Sequence, residues 1–138
     1  MSNYMAERTV YSLLDEAVEK WGNAQALHQP VGGQKYKSYT WVEYREIVRE
    51  IAAGLCAMGV KKGDIIGLGS ETRAEFYFAD IGAMTCGAAS AALYVNSPAA
   101  EQVALLEKCG AKIIFIEDAK MLGALMSAGA SNLKAERC

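Results

Sequence analysis

The sequence predicts an α/β fold: a partial parallel sheet with flanking helices, preceded by a helix and a β-hairpin. Three observations predict it. From Asp64 onward, short apolar runs of strand length alternate with amphipathic stretches of helix length. Strands separated by helices require right-handed crossovers and therefore parallel pairing. Upstream, two short runs flank Pro30-Val31-Gly32-Gly33, the pattern of a hairpin. Between these regions, Thr40 to Thr72 joins a capped amphipathic helix, a glycine-stopped turn and a short apolar strand.

Each element has its own local reason. Thr9 to Trp21 places Val10, Leu13, Leu14, Ala17, Val18 and Trp21 on one helical stripe, closed by Gly22-Asn23. Ala26–Gln29 and Lys35–Tyr39 are the hairpin strands, the second alternating aromatic with polar residues. Thr40 opens a helix to Met58 in which Trp41, Tyr44, Val48, Ile51, Leu55 and Met58 share a face. Thr40 and Glu43 make a capping-box pattern, and Gly59 ends the helix. Ile65–Gly69 is too short for a helix and reads as a buried strand. Thr72 with Glu75 repeats the capping-box pattern and opens a helix to about Cys86, apolar on most sides through Phe76, Tyr77, Ala79, Ile81, Ala83 and Met84. Ala88 to Val95 is the next strand. Ser97-Pro98 reads as a serine cap with proline in the first turn, leading into Val103, Leu105, Leu106 and Cys109 before Gly110 stops the helix. Lys112–Glu117 is a further strand and Ala119–Met126 the final helix. Ser127 to Ser131 is a small-residue stretch expected to fray.

Composition removes several function classes. At 138 residues with 52% hydrophobic and 22% charged side chains, the chain has the make-up of one globular domain. A net charge of −2 supplies no basic field for nucleic acid or anionic lipid. Cys56, Cys86, Cys109 and Cys138 include no CxxC pair, and His28 is the single histidine, so no metal site is expected. Cysteines inside apolar elements act as free thiols, which points to a reducing, cytoplasmic setting. No signal pattern opens the chain, and Asp80 interrupts the apolar stretch Ala79–Val95, so no membrane span is expected.

Candidate site residues are few. Gly67-Leu68-Gly69-Ser70-Glu71-Thr72 lies between a strand and a helix, where glycine-rich loops present amides to phosphate. A third glycine, a following lysine and an acidic partner about twenty residues on are all missing, so these glycines read as turn residues. Asp80 must face water, accept hydrogen bonds or meet a cation. His28 reads as part of a strand, and Lys61-Lys62 as a solvated turn. Tyr94 and Asn96 lie at the carboxyl end of a predicted parallel strand, where open α/β sheets place ligands, and they are the cleft candidates. The spacing identifies no catalytic residue, cofactor-binding residue or metal ligand.

The wording of four segments goes further. TVYSLLDEAVEKWG, YKSYTWVEYREIVREIAAGLCAMGVKKGD, SETRAEFYFADIGAMTCGAASAALY and NSPAAEQVALLEKCGAKIIFIED together resemble the N-terminal portion of AMP-forming acyl-CoA synthetases, in the long-chain fatty acid–CoA ligase branch of the adenylate-forming superfamily. The resemblance runs in order from Thr9 to about Ala119. It implies the opening piece of the large AMP-binding domain over residues 1–126, with a divergent tail at 127–138. It also implies ATP, magnesium and coenzyme A as cofactors of the full-length family, and a fatty acid as substrate. The family's Ser/Thr/Gly-rich phosphate loop, its downstream adenylate motifs and its C-terminal catalytic lysine have no counterpart in these residues, so none is carried over and the chain is expected to be inactive alone. A second reading is a free-standing, non-catalytic binding or interaction module of Rossmann-like type. An exposed sheet edge would then serve association.

Overall fold

The computed structural model describes residues 8–130. Helix α1 (Val10–Trp21) precedes a hairpin, β1 (Gln25–Gly32) and β2 (Lys35–Thr40), and α2 (Trp41–Ala57) follows directly. Then come β3 (Ile65–Gly69), α3 (Ala74–Thr85), β4 (Ala89–Ala92), α4 (Ala99–Cys109), β5 (Ala111–Ile116) and α5 (Ala119–Ser127). The sheet order is β4-β3-β5 with both pairs parallel, and the hairpin stands apart as an antiparallel pair. The expected α/β architecture is present.

The helix starts are where local pattern and structure part company. Thr40 and Glu43 form their capping box, with the Thr40 amide donating to Glu43 Oε2 at 2.8 Å. Thr9 and Ser12 form another, which serine at the third position had concealed. The box expected at Thr72 does not form, because Arg73 is the cap residue of α3 and its guanidinium takes the Glu75 carboxylate at 2.8 Å. The first amide of α3 is met instead from the hairpin: Ala74 N–H donates to Gln29 Oε1 at 2.7 Å. Ser97 does not cap α4 either. Pro98 is the cap residue, and Gln102 Nε2 folds back to donate to the carbonyls of Ser97 (2.8 Å) and Tyr94 (3.2 Å). That bend ends β4 at Ala92, three residues before the expected Val95. Leu93 N–H still donates to the Leu68 carbonyl at 2.8 Å.

Alternation along the strands divides the core into two faces. Ile66 and Leu68 point toward α2 and α3, among Leu55, Val60, Ala79 and Ala83. Residues of the opposite parity point toward α4 and α5, where Leu93, Val103, Leu106, Ala111 and Leu125 gather with Ile65, Ile114 and Ile116. A third cluster, Leu14, Tyr39, Tyr44, Val48, Ala74 and Phe78, fastens α1 and the hairpin to α2 and α3. Within the stretch expected to fray, Ala128 and Ala130 pack against the second face. The rest of that tail lies outside the described residues.

Candidate functional site: a cleft at the carboxyl ends of the strands

Parallel strands deliver their following loops to one end of the sheet. Here the chain leaves β3 toward β4 and then crosses back to β5 on the other side, a reversal of direction at which open α/β sheets form a crevice. Two adjoining cavities occupy that end. The smaller, about 280 Å³, has an apolar floor of Leu68, Phe76, Ala79, Phe115 and Ile116 and a rim of Ser70, Arg73, Glu75 and Glu117. The larger, about 490 Å³, lies among Glu71, the Val95–Ser97 loop, Gln102, Glu117, Asp118, Lys120 and Met121.

Glu117 stands in both walls and ties the loop after β5 to the loop after β3. It follows β5 directly, so the strand aims it over the end of β3. Its Oε2 accepts from the Glu71 amide (2.7 Å) and the Ser70 hydroxyl (3.2 Å), while Oε1 accepts from Arg73 Nη1 (3.0 Å). The Glu71 amide, with help from Arg73 and Ser70, holds the Glu117 carboxyl below the usual glutamate range. The Arg73 guanidinium likewise lowers Glu75. Arg73 is therefore engaged on both sides, by Glu75 at 2.8 Å and Glu117 at 3.0 Å.

Asn96 lines the larger cavity. Tyr94, beside it, lines neither cavity: the residue is 73% exposed, and its backbone carbonyl accepts from Gln102. His28 Nδ1 lies 2.8 Å from Ser38 Oγ across the hairpin, away from the cleft. Asp80 is half-buried, and its charge adds to the burial that pushes Tyr44 up to about 12. Gly67 lies inside β3 in ladder register with both neighbours and Gly69 ends the strand opposite Ile116 of β5; a Cβ would meet Leu106 at Gly67 and Met121 at Gly69, each at 2.7 Å. They admit helices, not phosphate, which removes the support for a Rossmann-like dinucleotide site.

Sequence reading missed Glu117, Arg73, Gln102 and Gln29. Glu117 had a usable signal, a carboxylate at the carboxyl end of a predicted parallel strand. The others join segments far apart in sequence or depend on a bend that spacing does not announce.

Against a nucleotide the described residues fit poorly. A triphosphate here would meet the carboxylates Glu71, Glu117 and Asp118 with Lys120 as the facing ammonium, since Arg73 is already paired. Among the described residues no group of three or more His, Cys, Asp or Glu side chains could hold a metal ion. No described helix is long and apolar enough to cross a membrane.

Comparison with known proteins decides the family. The AMP-binding enzyme model matches residues 14–137, nearly the whole chain. The chain belongs to the AMP-binding enzyme family. That match extends past Ala119 and takes in most of residues 127–138, beyond the reach of the resemblance read from the sequence. Among curated relatives, the uncharacterized protein Rv1549 of Mycobacterium tuberculosis is 38% identical over 95 residues, which is 69% of this chain and 53% of that protein. The long-chain-fatty-acid–CoA ligase ACSBG2 of Xenopus laevis is 30% identical over 114 residues, which is 83% of this chain and 15% of that enzyme. The chain thus spans about half of the first relative and a small part of the second. The crystal structure of the anthranilate CoA ligase AuaEII with anthranoyl-AMP superimposes at a TM-score of 0.82 and 20% identity, over 92% of this chain and 23% of that one. At that identity the superposition establishes the fold.

Proposed function

We propose that this family member is the opening segment of the large domain of an ATP-dependent fatty acid–CoA ligase, and that the segment performs neither half-reaction by itself. The family match over residues 14–137, with the long-chain ligase among the relatives, is the observation that supports this reading. In the parent reaction a fatty acid becomes an acyl-adenylate and then a coenzyme A thioester. The part assigned to these residues is scaffold: β3, β4 and β5 with their helices build one wall of a cleft, and Glu117 fixes the loops that form its lip. Asn96 is the cleft residue that we propose faces bound substrate or the remainder of the domain, with Tyr94 at its margin. Free thiols at Cys56, Cys86 and Cys109 suit a reducing, cytoplasmic setting.

Two measurements test the two halves of the reading. ATP–pyrophosphate exchange with a long-chain fatty acid is expected to give no turnover above background on the purified 138-residue chain; turnover would overturn the inactive half. For the scaffold half, residues 9–126 replace the aligned segment of the Xenopus ligase. A folded chimera that retains acyl-CoA formation supports the assignment, and a folded chimera without exchange or thioester formation overturns it.

A further inference from the structure

The two outer strands of the parallel sheet are built differently. β4 is four residues of small side chains, Ala89-Ser90-Ala91-Ala92, short enough to end a sheet safely. β5 is six residues long and carries Ile113, Ile114, Phe115 and Ile116 in succession, each only half-buried. Its charged residue, Lys112, is drawn inward, donating to the Gly59 carbonyl at 2.8 Å and to Asp64 Oδ2 at 3.3 Å. From Ile113 to Ile116 the strand therefore has neither the charge nor the proline that keeps an edge from pairing. Among the described residues β5 pairs with β3 alone. The Glu117 amide donates to the Gly69 carbonyl at 2.9 Å. By alternation along the strand, the Ile113 and Phe115 amides also face β3, and those of Ile114 and Ile116 face the open side.

We propose that the open side of β5 and the adjoining 280 Å³ cavity seat one further parallel strand, supplied by the polypeptide that completes the AMP-binding domain. This rests on reading the chain as the opening segment of that domain, and the relatives carry such a polypeptide: the chain aligns with 15% of the Xenopus ligase. Handedness gives the side. The step from β3 to β4 crosses the sheet one way with α3 on one face, and the step from β4 to β5 crosses back with α4 on the other. α5 packs on the α4 face, so a third crossover of the same hand places its strand outside β5. The cavity gives the chemistry. Its volume falls below the roughly 300 Å³ at which small-molecule sites begin. Its rim is matched internally, Arg73 by Glu75 and Glu117, and Ser70 by Glu71 and Glu117. What is left unmet is the apolar floor beside Phe115, which suits an apolar side chain of the incoming strand rather than a charged ligand.

Residue-resolved amide hydrogen exchange tests this on the 138-residue chain and on the folded Xenopus ligase chimera carrying residues 9–126. In the isolated chain the Ile114 and Ile116 amides are expected to exchange faster than those of Ile113 and Phe115. In the chimera Ile114 and Ile116 should slow by about tenfold or more, to the level of their neighbours. A second chimera that exchanges residues 111–126 alone reads the same amides if the larger replacement does not fold. Fast exchange at Ile114 and Ile116 in a folded chimera overturns the proposal. So does protection of both amides in the isolated chain, as a monomer covered by its own residues or as a dimer paired through β5. Amide protection is read without turnover, which separates this inference from the ligase reading. A protected edge in an inactive chimera counts against the ligase reading alone, and an open edge in an active one against the docking strand alone.

Discussion

The two faces of the sheet solve the same packing problem in opposite ways. On the α2/α3 face the strand supplies bulk, with Ile66 at 0% and Leu68 at 1% exposure, and the helices supply the space. Ala79, Gly82 and Ala83 let α3 close on both the sheet and α2, Gly82 at the tightest point of the helix crossing. On the α4/α5 face the strand gives way and the helices fill. Gly67 accepts Leu106, and Gly69 accepts Met121. The Ile65–Gly69 run, in which glycine alternates with large apolar residues, is therefore a record of which side of β3 yields to its helices. It teaches that a glycine pair at the end of a strand can be a packing device on one face even where its position suggests a ligand loop.

Four substitutions probe that contrast, in order of expected effect. Gly82→Leu should be the most damaging, about 3 kcal/mol of unfolding free energy by urea denaturation, because the new side chain must displace Ile51 and the α2 backbone at Val48. If it costs less than an exposed-site control such as Gly54→Leu, the tight helix–helix crossing is wrong. Gly67→Val should cost about 2 kcal/mol, and less in a Leu106→Ala background, since the neighbour it meets is the end of a flexible side chain flanked by Ile114. Additivity of the two changes would break the comparison.

The remaining pair test how the faces are joined at the carboxyl end. Glu117→Gln removes the charge that Arg73 and the Glu71 amide share, and should cost about 1 kcal/mol at neutral pH. Because the folded-state value is lowered, this contribution is complete above the ordinary carboxylate range and lost as pH falls through the folded value. The stability curves of the parent and Glu117→Gln chains should therefore converge in acid; a gap that persists there would assign the loss to packing. Gln29→Ala should have the smallest effect, roughly 0.5 kcal/mol, by leaving the Ala74 amide to water. Hydrogen exchange should place it at the start of α3, and protection unchanged at Ala74 would discard the hairpin cap.

Much of the fold was legible because its causes are local. The Thr40–Glu43 box, the stripe through Tyr44, Val48 and Leu55, and the turn at Gly110 (φ 66°) each depend on a few neighbouring residues. The same logic failed at Thr72 and Ser97, where a correct motif was outcompeted. Arg73 drew Glu75 away, and Gln102 claimed the carbonyls that shape the loop. The cleft was legible only as a location. Tyr94 and Asn96 were the residues that position offered; the same reasoning at the end of β5 reaches Glu117, but its hold on the loop after β3 shows only when β5 is set beside β3.

By itself the sequence determined the order of helices and strands, the parallel sheet and the family resemblance, because period, caps and wording are written along the chain. Tertiary structure decided which strand neighbours which, which face each glycine serves, and which carboxylate meets Arg73. Those outcomes depend on side chains separated by tens of residues competing for the same partner or the same space. A pattern read along one segment holds no record of that competition.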